Sequence, residues 1–295
     1  MTARFLADSD PKNHILTSGE IRRYLADVPF LVKIADEARG LTGVLTSFWY
    51  FRKFDLNKLG SCRVIADSGA FSAYTSGAVV TPGDYADWLD QWPDRFEFAF
   101  NLDVLGDPAQ SLANWQALQD RGHLTVPVIH YGDRPEDVLP AYLNRTDPAD
   151  RLAFGGIAVS GATTQVKAWC AYVFRWLRDN APDLPTHGLG VHMKSKLAAF
   201  PWTTTDSSSF GAAWRFGRAL LWDPDHLRWV GYRLDGKDVY RVGRITRRYG
   251  VEPGEVAEST GETRDTLVRM VTRSECRAAQ DWGRRAARKH QRRKP

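Results

Sequence analysis

The sequence predicts an α/β fold that closes into a TIM (β/α)8 barrel, followed by a small C-terminal extension. Apolar, β-rich runs alternate with helix-like stretches over the first 222 residues. Strands that are apolar on both faces are typical of a parallel sheet covered by helices. Repeated strand and helix units with short connections favour a barrel. A doubly wound open sheet is the alternative, although no GxGxxG motif follows the first strand.

The elements follow from these runs in order along the chain. The predicted strands span 43–48, 63–66, 96–102, 125–129, 152–159, 186–191 and 202–205. The predicted helices lie between them and span 83–92, 108–121, 135–143 and 163–179. Pro or Thr near the start of each helix fits the first turn, where a Pro needs no N–H and a hydroxyl caps the backbone.

Composition divides the chain into three parts. Residues 1–222 form the predicted barrel, 223–283 an extension expected to pack on it, and 284–295 a basic tail expected to be disordered. The tail carries seven Lys or Arg and no acid, which leaves 33 basic against 35 acidic residues upstream. Such a run repels itself and offers phosphate contacts that weaken with salt, although it also fits a solubilising terminus. Within the extension, 244–269 fits a helical cap better than a DNA-reading helix-turn-helix.

Cysteine spacing and hydropathy indicate the protein's environment. Cys62, Cys170 and Cys276 show no CxxC or CxxH spacing, so neither a disulfide framework nor a tetrahedral metal site is predicted. The first 14 residues lack the apolar segment of a secretion signal, and no run approaches 18 uncharged apolar residues. We therefore expect a soluble cytoplasmic protein, in the host cytoplasm if phage-encoded, without a membrane contact, metal or cofactor.

Three acidic residues follow predicted strands. Asp67, Asp103 and Asp206 each come directly after an apolar run. Because the carboxyl ends of barrel strands meet at one face, we expect these side chains to converge. Each one alone would fit a turn cap equally well. Their convergence favours a carboxylate mechanism, either acid–base chemistry or nucleophilic attack at an anomeric carbon.

Glycines, an aromatic residue and two histidines lie near the same strand ends. Gly155 and Gly156 would let a flat ligand approach the main chain, although a bulged strand is the alternative. Phe71 would stack on such a ring, or belong to the core. His130 and His187 supply no closed set of metal ligands, so hydrogen-bonded structural roles are favoured.

The order of these motifs resembles the tRNA-guanine transglycosylase superfamily. The resemblance covers roughly residues 43–217. The motifs are Asp-Ser-Gly-Ala-Phe at 67–71, Leu-Asp at 102–103, Val-Ile-His-Tyr-Gly at 128–132, Gly-Gly-Ile-Ala-Val at 155–159, His-Gly-Leu-Gly-Val at 187–191 and Thr-Asp-Ser-Ser-Ser-Phe at 205–210. Each motif is weak alone, and their order and strand-end placement carry the resemblance.

This resemblance implies a barrel enzyme that exchanges guanine in a polynucleotide for a 7-deazaguanine without cutting the backbone. It implies that Asp206 attacks the sugar C1′ and that Asp67 moves protons on and off the bases. Asp103 would read the Watson–Crick edge, with His130 where the family usually has Gln. The remaining implied base-binding residues are Ser68, Phe71, Gly155, Gly156, Ile157 and Leu189, with Phe71 and Leu189 on the two faces of the base.

Departures from the tRNA-acting enzymes favour a DNA substrate. The chain has no Cys-x-Cys-x-x-Cys zinc motif, and Ser207-Ser208-Ser209 replaces the usual Cys-Val pattern after the nucleophile. Both features resemble the phage and bacterial branch that places preQ0-type bases in DNA and so protects it from restriction. The expected partners are DNA, with tRNA as the alternative, and a 7-deazaguanine base; a homodimer is compatible with the family.

A duplex substrate would require flipping of the target base and contacts to the backbone. Trp49 or Tyr50 would help by stacking. The candidate phosphate-binding residues are Arg215, Arg218, Arg284, Arg285, Arg288 and Lys289. Two other functions remain open from the residues: a nucleoside hydrolase that releases free base, and a non-catalytic nucleic-acid-binding barrel.

Overall fold

The computed structural model describes most of the chain and divides it into two units. The described residues are 3–7, 42–70, 73, 77–158, 160–161, 163–207, 218–233, 238–257 and 265–291. The first unit comprises Met1–Val44, Asn57–Cys62 and Ser208–Pro295, and the second comprises Leu45–Leu56 and Arg63–Ser207. The three strand-end aspartates therefore all belong to the second unit.

One sheet of eight strands is built largely from the predicted apolar runs. Its strands are β1 (Ala3–Ala7), β2 (Gly43–Ser47), β3 (Arg63–Asp67), β4 (Phe96–Ala99), β5 (Val128–His130), β6 (Leu152–Gly155), β7 (Thr186–Gly188) and β8 (Thr204–Ser207). The second unit holds two runs of neighbours, β2-β3-β4 and β5-β6-β7-β8. The registered pairs β3/β4, β5/β6, β6/β7 and β7/β8 are all parallel. The predicted α/β class with a parallel sheet is thus confirmed.

A backbone link joins the outer strands of these two runs. Phe100, directly after β4, forms a parallel bridge with Val126, two residues before β5. The Asn101 N–H donates to the Val126 carbonyl at 2.8 Å, and the Val126 N–H donates to the Ala99 carbonyl at 2.7 Å. The ends of the two runs therefore meet through ordinary sheet hydrogen bonds.

Several strands are shorter than their apolar runs predict. β4 ends at Ala99 and β6 at Gly155, whereas the runs predict strand to 102 and 159. Gly156 has φ +72°, a left-handed conformation that interrupts an extended strand. Leu102 and Ile157 nevertheless remain buried, at 3% and 0% exposure. Leu102 and Ile157 are apolar because they are buried in the loops that follow the strands.

Helices connect the strands of the second unit. They are α1 (Phe48–Phe51), α2 (Pro82–Asp90), α3 (Pro108–Asp120), α4 (Pro135–Val138), α5 (Pro140–Leu143) and α6 (Thr164–Asn180). Thr81, Asp107 and Thr163 cap α2, α3 and α6, each accepting a hydrogen bond from the N–H three residues later. The single helix predicted over 135–143 is wrong, because Pro140 has no N–H to continue α4.

Aromatic side chains fill the space between helices and sheet. Trp88 of α2 packs against Phe96 of β4 with ring centroids 4.9 Å apart. On the other run of strands, Phe154 of β6 stacks on Phe174 of α6 at 4.9 Å. The apolar faces of these helices therefore cover the sheet, as expected for parallel strands.

The first unit contains a hairpin and a set of C-terminal helices. Its further elements are β9 (Arg218–Asp223), β10 (Arg228–Arg233), α7 (Asp238–Arg241), α8 (Gly243–Arg248), α9 (Pro253–Ala257) and α10 (Asp265–Gln291). β9 and β10 pair antiparallel. The Trp222 N–H donates to Ser274 Oγ at 2.7 Å, and the Trp222 indole donates to Asp281 at 2.8 Å. The predicted boundary after residue 222 thus falls inside β9, which packs with the extension.

The basic tail differs from its prediction. We expect disorder from 284 onward, but α10 continues as a helix to Gln291. Ala, Arg, Lys and Gln all have high helix propensity, so an existing helix propagates through the charge run. Residues 292–295 lie outside the described residues. None of the helices in the described part of the chain has the length and apolarity needed to cross a bilayer.

Candidate active site

The three predicted carboxylates lie at or just beyond the ends of strands β3, β4 and β8 of the second unit. Asp67 is the last residue of β3, Asp206 lies in β8, and Asp103 follows β4 by four residues. The charges of Asp103 and Asp206 both raise the pKa of Asp67. The side chains are thus close enough to interact electrostatically, as the strand-end pattern predicts.

Asp67 is held by a tight turn. The Gly69 N–H donates to Asp67 Oδ2 at 3.0 Å, and Gly69 has φ +68°. A Cβ at position 69 would lie 2.3 Å from Ser47 Oγ and 2.6 Å from Trp49 Cβ, so only glycine fits. Ser68 is 1% exposed and its hydroxyl accepts from the Ala70 N–H at 3.4 Å. The Ser68 hydroxyl thus takes part in the turn, and its contact with a ligand stays a prediction.

The surroundings of Asp67 suit proton transfer near neutral pH. Burial and then the charge of Asp103 raise its pKa, with a further contribution from Asp206. Hydrogen bonding by the Gly69 N–H and the Ser47 hydroxyl lowers the pKa of Asp67. The balance places the pKa of Asp67 at about 7. A carboxyl group with this value both donates and accepts a proton at physiological pH.

Asp103 is paired with His130. The His130 Nε2 lies 2.7 Å from Asp103 Oδ2. The His130 backbone N–H donates to Asp133 Oδ2 at 2.9 Å. Burial lowers the pKa of His130, but the hydrogen bond and charge of Asp103, helped by Asp133, outweigh it and raise the pKa above the usual value. The pair therefore joins the ends of β4 and β5, and Asp103 favours the charged form of His130.

The loop that carries Asp103 is fixed by α3. Asn101 Nδ2 donates to the Ser111 carbonyl at 2.8 Å. Asn114 Nδ2 donates to the Leu102 carbonyl, also at 2.8 Å. The Val104 N–H donates to Ser111 Oγ at 2.8 Å. These bonds satisfy the backbone on both sides of Asp103 and leave its side chain to face His130.

Asp206 is buried and accepts two hydrogen bonds on one oxygen. The Gly190 N–H donates to Asp206 Oδ1 at 2.8 Å. His187 Nε2 lies 3.2 Å from the same oxygen. The other ring nitrogen of His187 lies 2.7 Å from Thr204 Oγ1. A chain of polar groups thus runs from Thr204 through His187 to the predicted nucleophile.

Sequence reasoning missed the role of His187. The strand-end pattern assigns it only a general structural role, yet it is fully buried beside Asp206. The β7/β8 register makes His187 and Thr204 Cα partners, and Asp206 lies two residues further along β8. Because side chains alternate along a strand, Thr204 and Asp206 share a face. A correct register for β8 would have predicted this contact.

Tyr85 is a second residue that the sequence pattern does not identify. It is fully buried in α2, and its hydroxyl donates to the Phe100 carbonyl at 3.0 Å. Burial raises the pKa of Tyr85, and the charges of Asp67 and Asp103 raise it further. Tyr85 thus lies within electrostatic range of the carboxylates as a neutral phenol.

The predicted base-binding residues Gly155, Gly156, Ile157 and Leu189 lie at the carboxyl ends of β6 and β7. The Tyr131 N–H donates to the Gly155 carbonyl at 3.0 Å, and the Leu189 N–H donates to the Phe154 carbonyl at 3.1 Å. Ile157 is fully buried, and Leu189 is partly buried. Gly156, also partly buried, lies next to Tyr131. Contact of these residues with a base stays a prediction.

Other predicted residues cannot be placed at this site. Phe71 and Arg215 lie outside the described residues. Of Arg218, in β9, and Arg284, Arg285, Arg288 and Lys289, in α10, only the backbone is described. Among the described residues, no group of three or more His, Cys, Asp or Glu side chains is arranged to hold a metal ion.

Comparison with known proteins adds no identification. No protein-family model matches the chain, and no curated protein matches its sequence.

Proposed function

We propose that the strands of the second unit belong to the barrel that the sequence predicts. The runs β2-β3-β4 and β5-β6-β7-β8 are each sequential. The bridge between Phe100 and Val126 supports closure, because it links β4 to the segment leading into β5. A barrel of this kind gathers its chemistry at the carboxyl ends of the strands, where the three aspartates lie.

We propose that the chain is a transglycosylase that exchanges guanine in DNA for a 7-deazaguanine of the preQ0 type. One observation carries this proposal: Asp206, held by the Gly190 N–H and by His187, lies within electrostatic range of Asp67. Burial, and then the charges of Asp103 and Asp206, raise the pKa of Asp67 to about 7. A nucleophilic carboxylate beside a carboxyl group that shuttles protons is the arrangement used for retaining substitution at a sugar carbon. Base exchange follows this scheme with a second base in place of water.

In the first step, Asp206 attacks C1′ of the target nucleotide. A bond forms between a carboxylate oxygen and C1′, while the C1′–N9 bond breaks and its electron pair leaves with guanine. Asp67 donates its proton to the departing purine, which leaves as neutral guanine. The protonated fraction of Asp67 at neutral pH supports this role.

In the second step, the incoming 7-deazaguanine takes the place of guanine. Asp67, now a carboxylate, accepts the N9 proton, and N9 attacks C1′. The bond between C1′ and the Asp206 oxygen breaks, and Asp206 recovers its carboxylate. One proton leaves Asp67 and one returns, so both residues end in their starting states.

Asp103 and His130 would recognise the base. A guanine edge offers two neighbouring N–H donors, and Asp103 has acceptor capacity beyond its bond to His130. His130 replaces the Gln expected from the resemblance, and its raised pKa favours the charged ring, which donates charge-assisted hydrogen bonds. The backbone at Gly155, Gly156 and Ile157, with Leu189 and Phe71 on the base faces, completes the proposed pocket.

The decisive experiment measures base exchange into both polynucleotides. Purified protein is incubated with a labelled 7-deazaguanine or labelled guanine and with either guanine-containing DNA or tRNA. We expect label in DNA for the wild type and none for Asp206→Asn. Label in tRNA alone would show that tRNA, not DNA, is the substrate. Release of guanine without incorporation would show that the reaction is hydrolysis, not exchange.

A matched control separates chemistry from folding. Asp223→Asn changes another buried aspartate, which pairs with His226 and Arg244 in the first unit. We expect this variant to retain exchange at a temperature where it is folded, and Asp206→Asn to bind DNA without a covalent adduct on a denaturing gel. Tight DNA binding without exchange by the wild type would favour a non-catalytic nucleic-acid-binding protein.

A further inference from the structure

We propose that His187 is a positioning residue: its neutral Nε2–H form, supported at Nδ1 by Thr204, holds Asp206 so that Oδ2 is the oxygen that attacks C1′. This inference rests on the proposed transglycosylase function and adds two residues to its machinery. Nothing in the resemblance assigns a role to either of them.

Two hydrogen bonds to Asp206 end on the same carboxylate oxygen. The Gly190 N–H and His187 Nε2 both approach Oδ1, at 2.8 Å and 3.2 Å. One donor comes from the backbone after β7 and the other from a β7 side chain, so the carboxylate plane is fixed by one strand. Electron density on Oδ1 is drawn toward these two donors, which makes Oδ2 the better nucleophile.

The position of the proton on the His187 ring follows from its two neighbours. An ionised carboxylate only accepts hydrogen bonds, so Nε2 must carry the proton that faces Asp206. In a neutral ring, Nδ1 then has a lone pair and accepts from the Thr204 hydroxyl, 2.7 Å away. Thr204 therefore stabilises the tautomer that the Asp206 carboxylate requires, because its hydroxyl can donate to Nδ1.

The charge of His187 follows from its surroundings. Its ring is fully buried, with the rings of Phe100 and Phe98 at 4.8 Å and 6.0 Å. Burial lowers the pKa of His187, the hydrogen bond and charge of Asp206 from β8 partly offset this, and Arg151, directly before β6, lowers the pKa further. A neutral donor orients Asp206, whereas an imidazolium would bind it as an ion pair and weaken its attack.

The test compares single-turnover adduct formation in a set of paired variants. His187→Leu fills the site with an apolar side chain that has no N–H. His187→Gln supplies an N–H near the position of Nε2. Thr204→Val removes the hydroxyl and Thr204→Ser keeps it. We expect His187→Leu and Thr204→Val to slow adduct formation about tenfold or more, with DNA affinity unchanged, and the Gln and Ser variants to recover much of the rate.

A double variant tests whether the two residues act together. If Thr204 acts through His187, the Leu and Val changes combined will slow adduct formation little more than His187→Leu alone. Independent, multiplicative losses would contradict the relay. Wild-type rates in His187→Leu would overturn the positioning role.

Nitrogen NMR of the imidazole gives a readout that does not need activity. We expect the neutral Nε2–H form of His187 from about pH 6 to about pH 8, and a mixture of tautomers in Thr204→Val. A charged ring or an Nδ1–H ring in the wild type would overturn the inference. Failure of the wild type to form any adduct would instead contradict the proposed function, so the two failures are distinguishable.

Discussion

At the scale of single residues, the site is defined by how differently its three carboxyl groups are surrounded. Asp67 is partly buried next to two other acids, Asp103 faces His130, and Asp206 accepts two hydrogen bonds. Similar side chains therefore acquire different tasks from their surroundings. Two predictions follow from the protonation of Asp67.

The first prediction concerns stability. The pKa of Asp67 rises from 3.8 to about 7, so the folded state binds this proton more tightly than the unfolded state. The stabilising effect is complete below about pH 4 and is lost as the pH rises through 7. The free energy of unfolding of Asp67→Asn relative to that of the wild type should therefore increase by about 2–4 kcal/mol when the pH is raised from about 4 to about 8.5. One pKa unit corresponds to about 1.4 kcal/mol.

Urea unfolding of both proteins at the two pH values measures this change. Asp94→Asn, which removes an exposed carboxyl group, is the control. A stability difference between Asp67→Asn and wild type that does not vary with pH would refute the assigned protonation.

The second prediction concerns the rate of the first chemical step. If protonated Asp67 assists guanine departure, adduct formation will decline as the pH rises above about 7. Single-turnover rates at saturating DNA give the profile. A rate that increases through this range would assign Asp67 a different role.

At the scale of elements, turns place the catalytic residues more than the strands do. The Gly69 turn orients Asp67, and the hydrogen bonds of Asn101 and Asn114 hold the Asp103 loop. These features depend on left-handed backbone and on amide side chains at strand ends. A substitution at the first turn tests its contribution.

The third prediction compares two glycines with similar backbone angles. Gly69 and Gly77 have φ +68° and +70°, but a Cβ at 69 would collide with Ser47 and Trp49, whereas none of the described atoms lies within 4 Å of a Cβ at 77. Gly77→Ala should lose about 1 kcal/mol from backbone strain alone. Gly69→Ala should lose at least about 2 kcal/mol more, because buried groups must move. Thermal unfolding measures both, and equal losses would contradict the close approach.

The sequence predicted the positions of the carboxylates because strand-end placement is a local signal. The runs before Asp67, Asp103 and Asp206 locate all three, and Pro or Thr near the predicted starts marks helices α2, α3 and α6 correctly. The end of β6 was overestimated because Ile157 is apolar for a reason unrelated to strand structure. The His187–Asp206 contact needs the β7/β8 register, which no local pattern contains.

At the scale of the whole molecule, charge is concentrated at one end of the chain. Seven Lys or Arg lie in 284–295, and the helix α10 continues through most of this segment. The backbone is thus helical to Gln291, in contrast to the disordered tail that charge repulsion predicts. Basic residues on a helix can still contact phosphates without reading bases.

The fourth prediction concerns this basic segment. Removing residues 284–295 should weaken DNA binding and reduce its salt dependence, because each lost phosphate contact lowers the slope of log K against log salt by about 0.7–0.9. Base choice should not change. Fluorescence anisotropy over a salt series measures the slope, and removal of 292–295 alone, with three of the seven charges, should give an intermediate value. An unchanged slope would exclude the segment from the interface.

The electrostatic link between Asp206 and Asp67 also times the proposed reaction. While Asp206 is ionised, its charge raises the pKa of Asp67 and keeps the proton in place. Once Asp206 is esterified to C1′, that charge is gone and the pKa of Asp67 falls by its contribution, which favours proton transfer to the departing base. When the ester breaks, the charge and the higher pKa return. In the proposed reaction, burial and Asp103 would thus bring the pKa of Asp67 to about 7, and the bond that Asp206 makes and breaks would shift it in the direction that each step needs.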